Sequence, residues 1–280
     1  MRPNTQSIAA VGPQAPLGPS PAYAAYLRRE VQRNRLVTTT RVALLLAFLV
    51  LWEVLARTHL VNPMLTSYPS AVWPTLIDLF HNGNLMSHTL ATFKATVIGF
   101  VLSMVLGTMI AALLWWSDFA YRVLDPFLVI ANAMPKIAFV PIFYIWLGAE
   151  HSIYGMAVAI SVIITIMMVY EGFRGVDPNK SKLAYSLGAT RSQVLLKVIL
   201  PGSVPTILAT LKMNIGLALV GVIVGEFQSA SEGLGFLIIN GSQIFKLNVV
   251  MAAIVVLTLL AGLIYFVVVR FESVLSRRYK

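Results

Sequence analysis

The chain is 280 residues long, with 58% hydrophobic and only 11% charged residues, and its mean hydropathy is +0.80. Soluble domains carry about 25% charged residues, so this composition excludes an ordinary soluble domain and predicts a membrane protein. The net charge of +10 does not indicate nucleic-acid binding, because no segment outside the apolar runs interleaves basic and aromatic residues. The absence of cysteine excludes disulfides, thiolate metal sites and a thiol nucleophile.

The N-terminal part precedes the first apolar run. We expect residues 1–27, which are rich in Pro, Gly, Ser and Ala, to be disordered because they cannot pack a core. Residues 28–41 carry several arginines and are predicted to form a basic juxtamembrane helix at the membrane surface. A transmembrane domain is predicted over 42–275, followed by a basic tail over 276–280.

Six segments are apolar enough to cross a bilayer, which takes about 20 residues per helix. They lie at about 42–58, 90–115, 121–147, 151–172, 203–226 and 248–270. Three prolines in the third predict a bent helix in the centre of the bundle. Segment 69–83 is too short to span and predicts an interfacial helix. The predicted fold class is all-α, a polytopic bundle of about six transmembrane helices.

Lysine and arginine are distributed unevenly among the predicted loops. If both termini face the cytoplasm, sixteen of the 21 Lys and Arg residues lie on the cytoplasmic side. The positive-inside rule favours this orientation. The sequence therefore predicts a multi-pass protein with both termini cytoplasmic, and it places the polar stretch 174–201 in the cytoplasm.

This polar stretch, referred to below as the module (residues 174–201), begins with the signals of a short helix. Asp177 followed by Pro178 is typical of an N-cap and the first helical residue. The helix is predicted to run to about Leu187, where Gly188 supplies the left-handed turn that ends it.

A second short helix is predicted in the module. Thr190 and Gln193 have the spacing of a capping box, so we expect a helix over about 191–199 that stops at Pro201. Its apolar residues are predicted to pack on the ends of the membrane helices; they are Val194, Leu195, Val198 and Ile199. Arg191 and Lys197 are expected to face water.

The module resembles the EAA signature, E-A-A-x3-G-x9-I-x-L-P, of permease subunits of binding-protein-dependent ABC importers. The matching positions are Ala184, Gly188, Val198, Leu200 and Pro201. Lys182 stands in place of the acidic residue of the signature and Leu183 in place of an alanine, so any ion pair made through that acid is absent here.

Three further stretches resemble the nitrate/sulfonate/taurine branch of that family. They are Tyr68-Pro69-Ser70, residues 134–148, and Gly225-Glu226-Phe227 leading to residues 233–236. The resemblance covers about residues 60–275 and implies the type I ABC importer permease fold. It leaves the solute open, as a small anionic or polar organic molecule of the sulfonate, nitrate, carboxylate or vitamin-precursor type.

The resemblance also implies partners. The first helix of the module would be the coupling helix, docked on a separate cytoplasmic ATPase dimer that binds ATP and magnesium. This chain has no G-x4-G-K-[ST] run and would itself be neither an enzyme nor a cofactor-binding subunit. A periplasmic or lipid-anchored binding protein would deliver the solute, and a second permease subunit, expected to be an identical copy, would complete the path in the bacterial cell (inner) membrane. The predicted coupling residues are Ser181, Lys182, Ala184, Tyr185, Leu187, Gly188, Ala189, Leu200 and Pro201.

Charged residues within the apolar segments are costly and need a reason. Glu53 and Arg57 are four residues apart and are expected to pair, while Lys94 can extend to the interface. The remaining candidates for the substrate path are Lys136, Lys212 and Glu226. Each could instead brace neighbouring helices, and Glu226, surrounded by glycines, could anchor an outer loop.

Two other classes of protein compete with an importer permease. A secondary transporter or channel not driven by ATP would be expected to show inverted repeats and proton relays, and the sequence shows neither. A membrane enzyme needs a nucleophile and base or a metal cluster. The four histidines, His59, His81, His88 and His151, lie in predicted outer loops or at their edges and have poor metal spacing.

Overall fold

A computed structural model describes residues 21–58, 67–229 and 231–276. All of the regular structure in these ranges is helical, as predicted. The α-helices are α1 (Pro21–Arg57), α2 (Pro69–His81), α3 (Leu85–Trp116), α4 (Asp118–Ala133), α5 (Val140–Arg174), α6 (Pro178–Ser186), α7 (Arg191–Val194), α8 (Leu200–Ser229), α9 (Leu234–Gln243) and α10 (Leu247–Ser276). The predictions for residues 1–20 and 277–280 concern positions outside the described residues.

The chain divides into two compact units, residues 1–60 and 61–280. In the first unit, helix α1 is 37 residues long, which corresponds to about 55 Å. The basic segment 28–41 and the first predicted span therefore belong to one helix, and residues 21–27, which were predicted to be disordered, are helical as well. The reason is local, because no Gly or Pro between residues 22 and 57 interrupts the helix.

Five helices of the described residues are long and apolar enough to cross a membrane, one in the first unit and four in the second. Five of the six predicted spans fall within them. The exception is the third, which the structure divides into pieces. Helix α4 ends at Ala133, a 3₁₀ turn covers Lys136–Phe139, and α5 begins at Val140. The chain is extended at Met134, just before Pro135, as expected for a residue that precedes proline.

Helix α5 bends sharply at Gly148, which has φ +78° and ψ 172°. A methyl group added at Gly155 would lie 2.7 Å from Cδ1 of Leu147, although the two residues are eight positions apart. In a straight helix eight residues span about 12 Å, so the segment before Gly148 folds back on the segment after it. The third predicted span is therefore divided into α4, a 3₁₀ turn and the part of α5 before Gly148, and the described residues do not contain it as a separate membrane-spanning helix.

Helices α3, α5 and α8 form the centre of the second unit, and glycines bring them close together. A Cβ at Gly99 would lie 2.4 Å from Cβ of Ala157, and one at Gly221 would lie 2.6 Å from Cα of Ala157. Small residues allow membrane helices this approach. A buried polar network joins the same helices, because Asn214 bonds to both Ser103 and Thr165.

The predicted interfacial helix is present as α2, which packs against α10. Val72 and Leu79 are buried in an apolar cluster with Leu234, Ala252 and Ala253. The two ends of the second unit are distinct. One end, called the module end, contains the end of α3, the end of α5 and the start of α8. The other end, called the cavity end because a cavity lies there, contains the opposite ends of the same helices.

Candidate functional site

The first helix of the module forms as predicted. The Asp177 side chain accepts a hydrogen bond of 2.9 Å from the N–H of Asn179 and caps α6, with Pro178 as its first residue. The helix ends at Ser186, and Gly188 follows with φ +83°. Glycine adopts this left-handed conformation without strain, so the predicted elbow is confirmed.

The second helix differs from the prediction. The capping box is present, since Thr190 accepts from the N–H of Gln193 and the Gln193 side chain accepts from the N–H of Thr190. Helix α7 is only four residues long, however, and it continues as a π-helical turn over Leu195–Ile199 and then as α8. The prediction that the helix stops at Pro201 is therefore wrong.

The π-helical turn explains how the helix passes Pro201. In a regular α-helix the proline ring would collide with the carbonyl of Lys197, four residues earlier, and would leave that carbonyl without a partner. The Leu200 N–H instead donates to the Leu195 carbonyl, five residues back. This wider turn makes room for the ring, and Pro201 lies in the first turn of α8.

The inner face of the module is fixed to the membrane helices. Val194, Leu195 and Ile199 are buried in one apolar cluster with Tyr170 and Phe173 of α5. Val198, Ala184 and Ala189 pack on the same cluster and are half-buried. The predicted packing of the second helix is confirmed, and the module has a rigid base.

Cations and aromatic rings strengthen this attachment. The Arg191 guanidinium lies 5.7 Å and 5.8 Å from the ring centres of Trp115 and Trp116 at the end of α3. Such contacts stabilise by about 0.5–2 kcal/mol. On the other side, Tyr121 of α4 stacks on Tyr170 with 3.9 Å between ring centres. The module therefore contacts α3 through Arg191, and the Tyr121–Tyr170 pair joins α4 to α5 beside it. Neither contact was predicted from the sequence.

Three apolar side chains are exposed on α6 and at the residue that follows it. Leu183, Tyr185 and Leu187 are 62%, 45% and 79% exposed. Lys182 and Gly188 are also exposed, and Ser181 is half-buried. At the start of α8, Leu200 is half-buried and Pro201 is exposed. The predicted coupling residues thus include an exposed apolar surface, and Ala184 and Ala189 beside it face the bundle.

The three candidate path residues lie in separate places. The Lys136 ammonium donates a hydrogen bond of 2.9 Å to the carbonyl of Asn132 near the end of α4. Lys212 forms an ion pair of 2.7 Å with Glu272, which joins α8 to α10. These contacts of Lys136 and Lys212 are structural, and a role of either residue in the substrate path stays a prediction. Elsewhere, in α1, the predicted ion pair of Glu53 with Arg57 is confirmed.

Glu226 is 2% exposed and holds the segment before α9. Its carboxylate accepts hydrogen bonds of 2.8 Å from the Thr92 hydroxyl of α3 and from the N–H of Gly235. The Thr92 oxygen in turn accepts from the N–H of Leu234 at 2.8 Å. The arrangement agrees with the loop-anchor alternative for Glu226.

Gly233 closes this segment over Glu226. It has φ +121°, and an added Cβ would lie 2.3 Å from the carboxyl carbon of Glu226. Its N–H donates a hydrogen bond of 3.0 Å to Nδ1 of His88 on α3. Only glycine fits here, for reasons of both conformation and space. His88 is therefore a structural acceptor, a role that sequence reasoning missed because its partner is 145 residues away.

A cavity of about 460 Å³ lies at the cavity end, between α3, the bend of α5, the end of α8 and the segment that follows it. Charged groups line it: Lys94, Glu150, Glu226 and Glu232. Lys94 was predicted to extend to the membrane interface, and no role was predicted for Glu150 or Glu232. In the sequence, these three residues are marked only by a charge next to an apolar segment. Such a charge does not show that the residues share a cavity.

Comparison with known proteins gives a consistent match. Residues 103–280 match the profile of a family described as the binding-protein-dependent transport system inner membrane component. The chain is 32% identical to the formylaminopyrimidine transport permease protein ThiX of Halalkalibacterium halodurans, over 82% of this chain and 92% of that protein. It is 26% identical to the taurine transport system permease protein TauC of Escherichia coli, over 81% and 84% of the two chains.

A further relative is the putative aliphatic sulfonates transport permease protein SsuC of Bacillus subtilis, 27% identical over 85% of this chain and 86% of that protein. Among solved structures, a chain of the MetNI methionine ABC transporter in an inward-facing conformation is similar in fold. The TM-score is 0.61 at 19% identity, over 70% of this chain and 96% of that chain. At this identity the likeness concerns the fold alone.

Proposed function

The chain belongs to the family of binding-protein-dependent transport system inner membrane components, and from this premise we propose that the module couples it to an ATPase. The chain is a multi-pass membrane protein and a permease component of an ABC importer of the nitrate/sulfonate/taurine branch. The alternative of a secondary transporter or channel is not supported.

The exposed apolar side chains of α6 carry the proposal. Leu183, Tyr185 and Leu187 present apolar surface on a short helix whose other side is packed against the bundle. Exposed apolar surface of this kind marks a protein contact. We assign it to a groove on a cytoplasmic ATPase, which would bind ATP and magnesium and hydrolyse ATP. Because Lys182 replaces the usual acidic residue, docking would depend on shape and apolar contact.

The base of the module supplies the path for mechanical coupling. Movement of α6 is passed to α8 through the continuous turn at Leu195–Ile199, and to α3 through Arg191 and the rings of Trp115 and Trp116. A packed apolar base moves as a unit because protein interiors are dense. Closure of two ATPase subunits would in this way tilt the membrane helices and open the opposite end.

The orientation follows from the distribution of charge. The module end would lie in the cytoplasm together with both termini, since this arrangement places most of the cationic residues inside. The cavity end would then face the binding protein, in the cell membrane of a bacterium. A second permease subunit, proposed to be an identical copy, would complete the translocation path.

The solute is proposed to be a small polar organic molecule delivered by the binding protein. The names of the relatives mention formylaminopyrimidine, taurine and aliphatic sulfonates. Each of these molecules is small and carries a polar nitrogen-containing group or a sulfonate group. We therefore propose that the solute of this chain is also small and polar.

The docking proposal is tested by charge on the exposed face of α6. The double variant Leu183→Asp with Leu187→Asp should insert and purify normally because both side chains point away from the core. It should lose copurification with the partner ATPase, and also solute-stimulated ATP hydrolysis. Ser192→Asp, at an exposed polar position of α7, is the matched control. Full ATP hydrolysis coupled to uptake in the double variant would contradict the proposal.

A further inference from the structure

The cavity at the cavity end opens at the surface that faces the binding protein under the proposed function. Its floor is apolar, with Leu90 and Ile153, and the ring of Tyr154 also lines it. Its volume of about 460 Å³ lies within the range of small-molecule sites, which is about 300–1,000 Å³. The cavity can therefore hold a small organic solute.

Three charged side chains line this cavity and form no ion pairs with one another. Lys94 lies on α3, Glu150 lies just after the bend of α5, and Glu232 lies in the segment before α9. Among the described residues, none of the three forms an ion pair, although they line one cavity. All three side chains are exposed and are therefore available to a ligand in the cavity.

Glu226 has a different role in the same wall. Its carboxylate accepts from Thr92 and Gly235, and these hydrogen bonds hold the segment that carries Glu232. Glu226 thus fixes the shape of the cavity as a positioning residue. The groups available to a ligand are the ammonium of Lys94 and the carboxylates of Glu150 and Glu232.

We propose that this cavity is an acceptor site for a solute that carries both a cationic nitrogen and an anionic group. Lys94 would bind the anionic end, and Glu150 and Glu232 would bind the cationic end. The inference rests on the proposed function for the direction from which the solute arrives. It adds a binding site and a charge requirement to that function.

Charge balance favours such a zwitterion over a singly charged solute. A simple anion would meet Lys94 but also two carboxylates, and a simple cation would meet the carboxylates but also Lys94. Like charges at a binding site oppose binding strongly. A zwitterion satisfies both signs at once, since its anionic end can pair with Lys94 and its cationic end with Glu150 and Glu232.

The test uses three probes that share a two-carbon skeleton: taurine, ethanesulfonate and ethylammonium. The full chain is reconstituted in nanodiscs of neutral lipid, without ATPase or binding protein, and binding is measured by saturation-transfer NMR titration. Taurine should bind about tenfold more tightly than either singly charged probe, as expected for one additional charge-assisted contact. Equal binding of the three probes, or binding of none, would overturn the proposal.

Variants assign the two ends of the site. Lys94→Gln should remove the advantage of taurine over ethylammonium, and Glu150→Gln combined with Glu232→Gln should remove its advantage over ethanesulfonate. Lys94→Arg should retain taurine binding, and unchanged melting temperatures should show that the variants fold. Taurine binding that is unchanged in Lys94→Gln would contradict the proposal.

The outcome is separable from the test of the module. The nanodisc assay contains no ATPase, so a failure of the Leu183→Asp and Leu187→Asp experiment leaves its result intact. Conversely, loss of the zwitterion preference leaves docking at α6 unaffected.

Discussion

The two ends of the second unit are built from different interactions. At the module end, apolar and aromatic contacts fix α6, α7 and the start of α8 to the membrane helices, and apolar side chains remain exposed. At the cavity end, a glycine-containing segment is held by hydrogen bonds that its backbone N–H groups donate to Thr92, His88 and Glu226, and charged side chains remain exposed. The module end is suited to transmit force as a rigid body. The cavity end is suited to rearrange, because hydrogen bonds to a short segment can be exchanged locally.

The strongest way to disturb the cavity end is to place a side chain at Gly233. Gly233→Ala should destabilise the protein by at least about 2 kcal/mol, through strain at positive φ and overlap with Glu226. The measurement is the melting temperature of the purified chain, together with uptake. Gly216→Ala is the control, since a Cβ there meets nothing within 4 Å. Equal stability of the two variants would contradict the described packing.

The anchor itself is tested by changing Glu226. Glu226→Ala should cost about 1–3 kcal/mol because the buried N–H of Gly235 and the Thr92 hydroxyl lose an acceptor. Glu226→Gln keeps an acceptor of the same size and should cost less. Thermal unfolding measures both variants, and hydrogen exchange of residues 231–236 localises the change. An effect of Glu226→Gln as large as that of Glu226→Ala would point to a role for the charge itself.

At the module end, Arg191→Ala tests the attachment to α3. Loss of the contacts with Trp115 and Trp116 should cost about 0.5–2 kcal/mol. Because these contacts belong to the proposed path of coupling, ATP hydrolysis should become less dependent on solute while ATPase binding is retained. Lys197→Ala, at an exposed position of the π-helical turn, should leave coupling unchanged. Normal coupling in Arg191→Ala would remove α3 from the proposed path.

At the elbow, Gly188→Asn is the substitution expected to change stability least. A Cβ there meets nothing within 4 Å, but φ is +83°, so only the backbone conformation opposes substitution. Gly188→Asn should be tolerated because Asn enters the left-handed region readily, whereas Gly188→Val should cost about 1–2 kcal/mol. Circular dichroism melting of the two variants measures the difference. Loss of uptake in Gly188→Asp or Gly188→Arg with normal insertion would then report a clash with the ATPase.

The sequence predicted features that depend on neighbouring residues. The N-cap at Asp177, the elbow at Gly188 and the capping box at Thr190 were predicted because each signal lies within a few residues of its partner. The end at Pro201 was wrong because proline suits both a helix stop and the first turn of the next helix. The bend at Gly148 was also missed, since an isolated glycine carries no directional signal.

Features that join distant parts of the chain could not be predicted. Lys212 pairs with Glu272, 60 positions away, and Thr92 bonds to Glu226 across 134 positions. The cavity at the cavity end is lined by residues of α3, α5 and α8. A single sequence does not indicate which helices are neighbours. The exposure of Leu183 and Leu187 likewise depends on which face of α6 the bundle covers.

The central claim is that the exposed face of α6 binds the ATPase, and cysteine labelling tests it most directly. The chain has no cysteine, so Leu187→Cys and Glu232→Cys each introduce a single thiol, one at each end of the unit. The measurement is the rate of maleimide labelling of the purified permease with and without its ATPase. We predict that the ATPase protects Leu187→Cys at least tenfold, about what 1.4 kcal/mol represents, and leaves Glu232→Cys unchanged. Equal labelling of Leu187→Cys in the free permease and in the assembled complex would contradict the account.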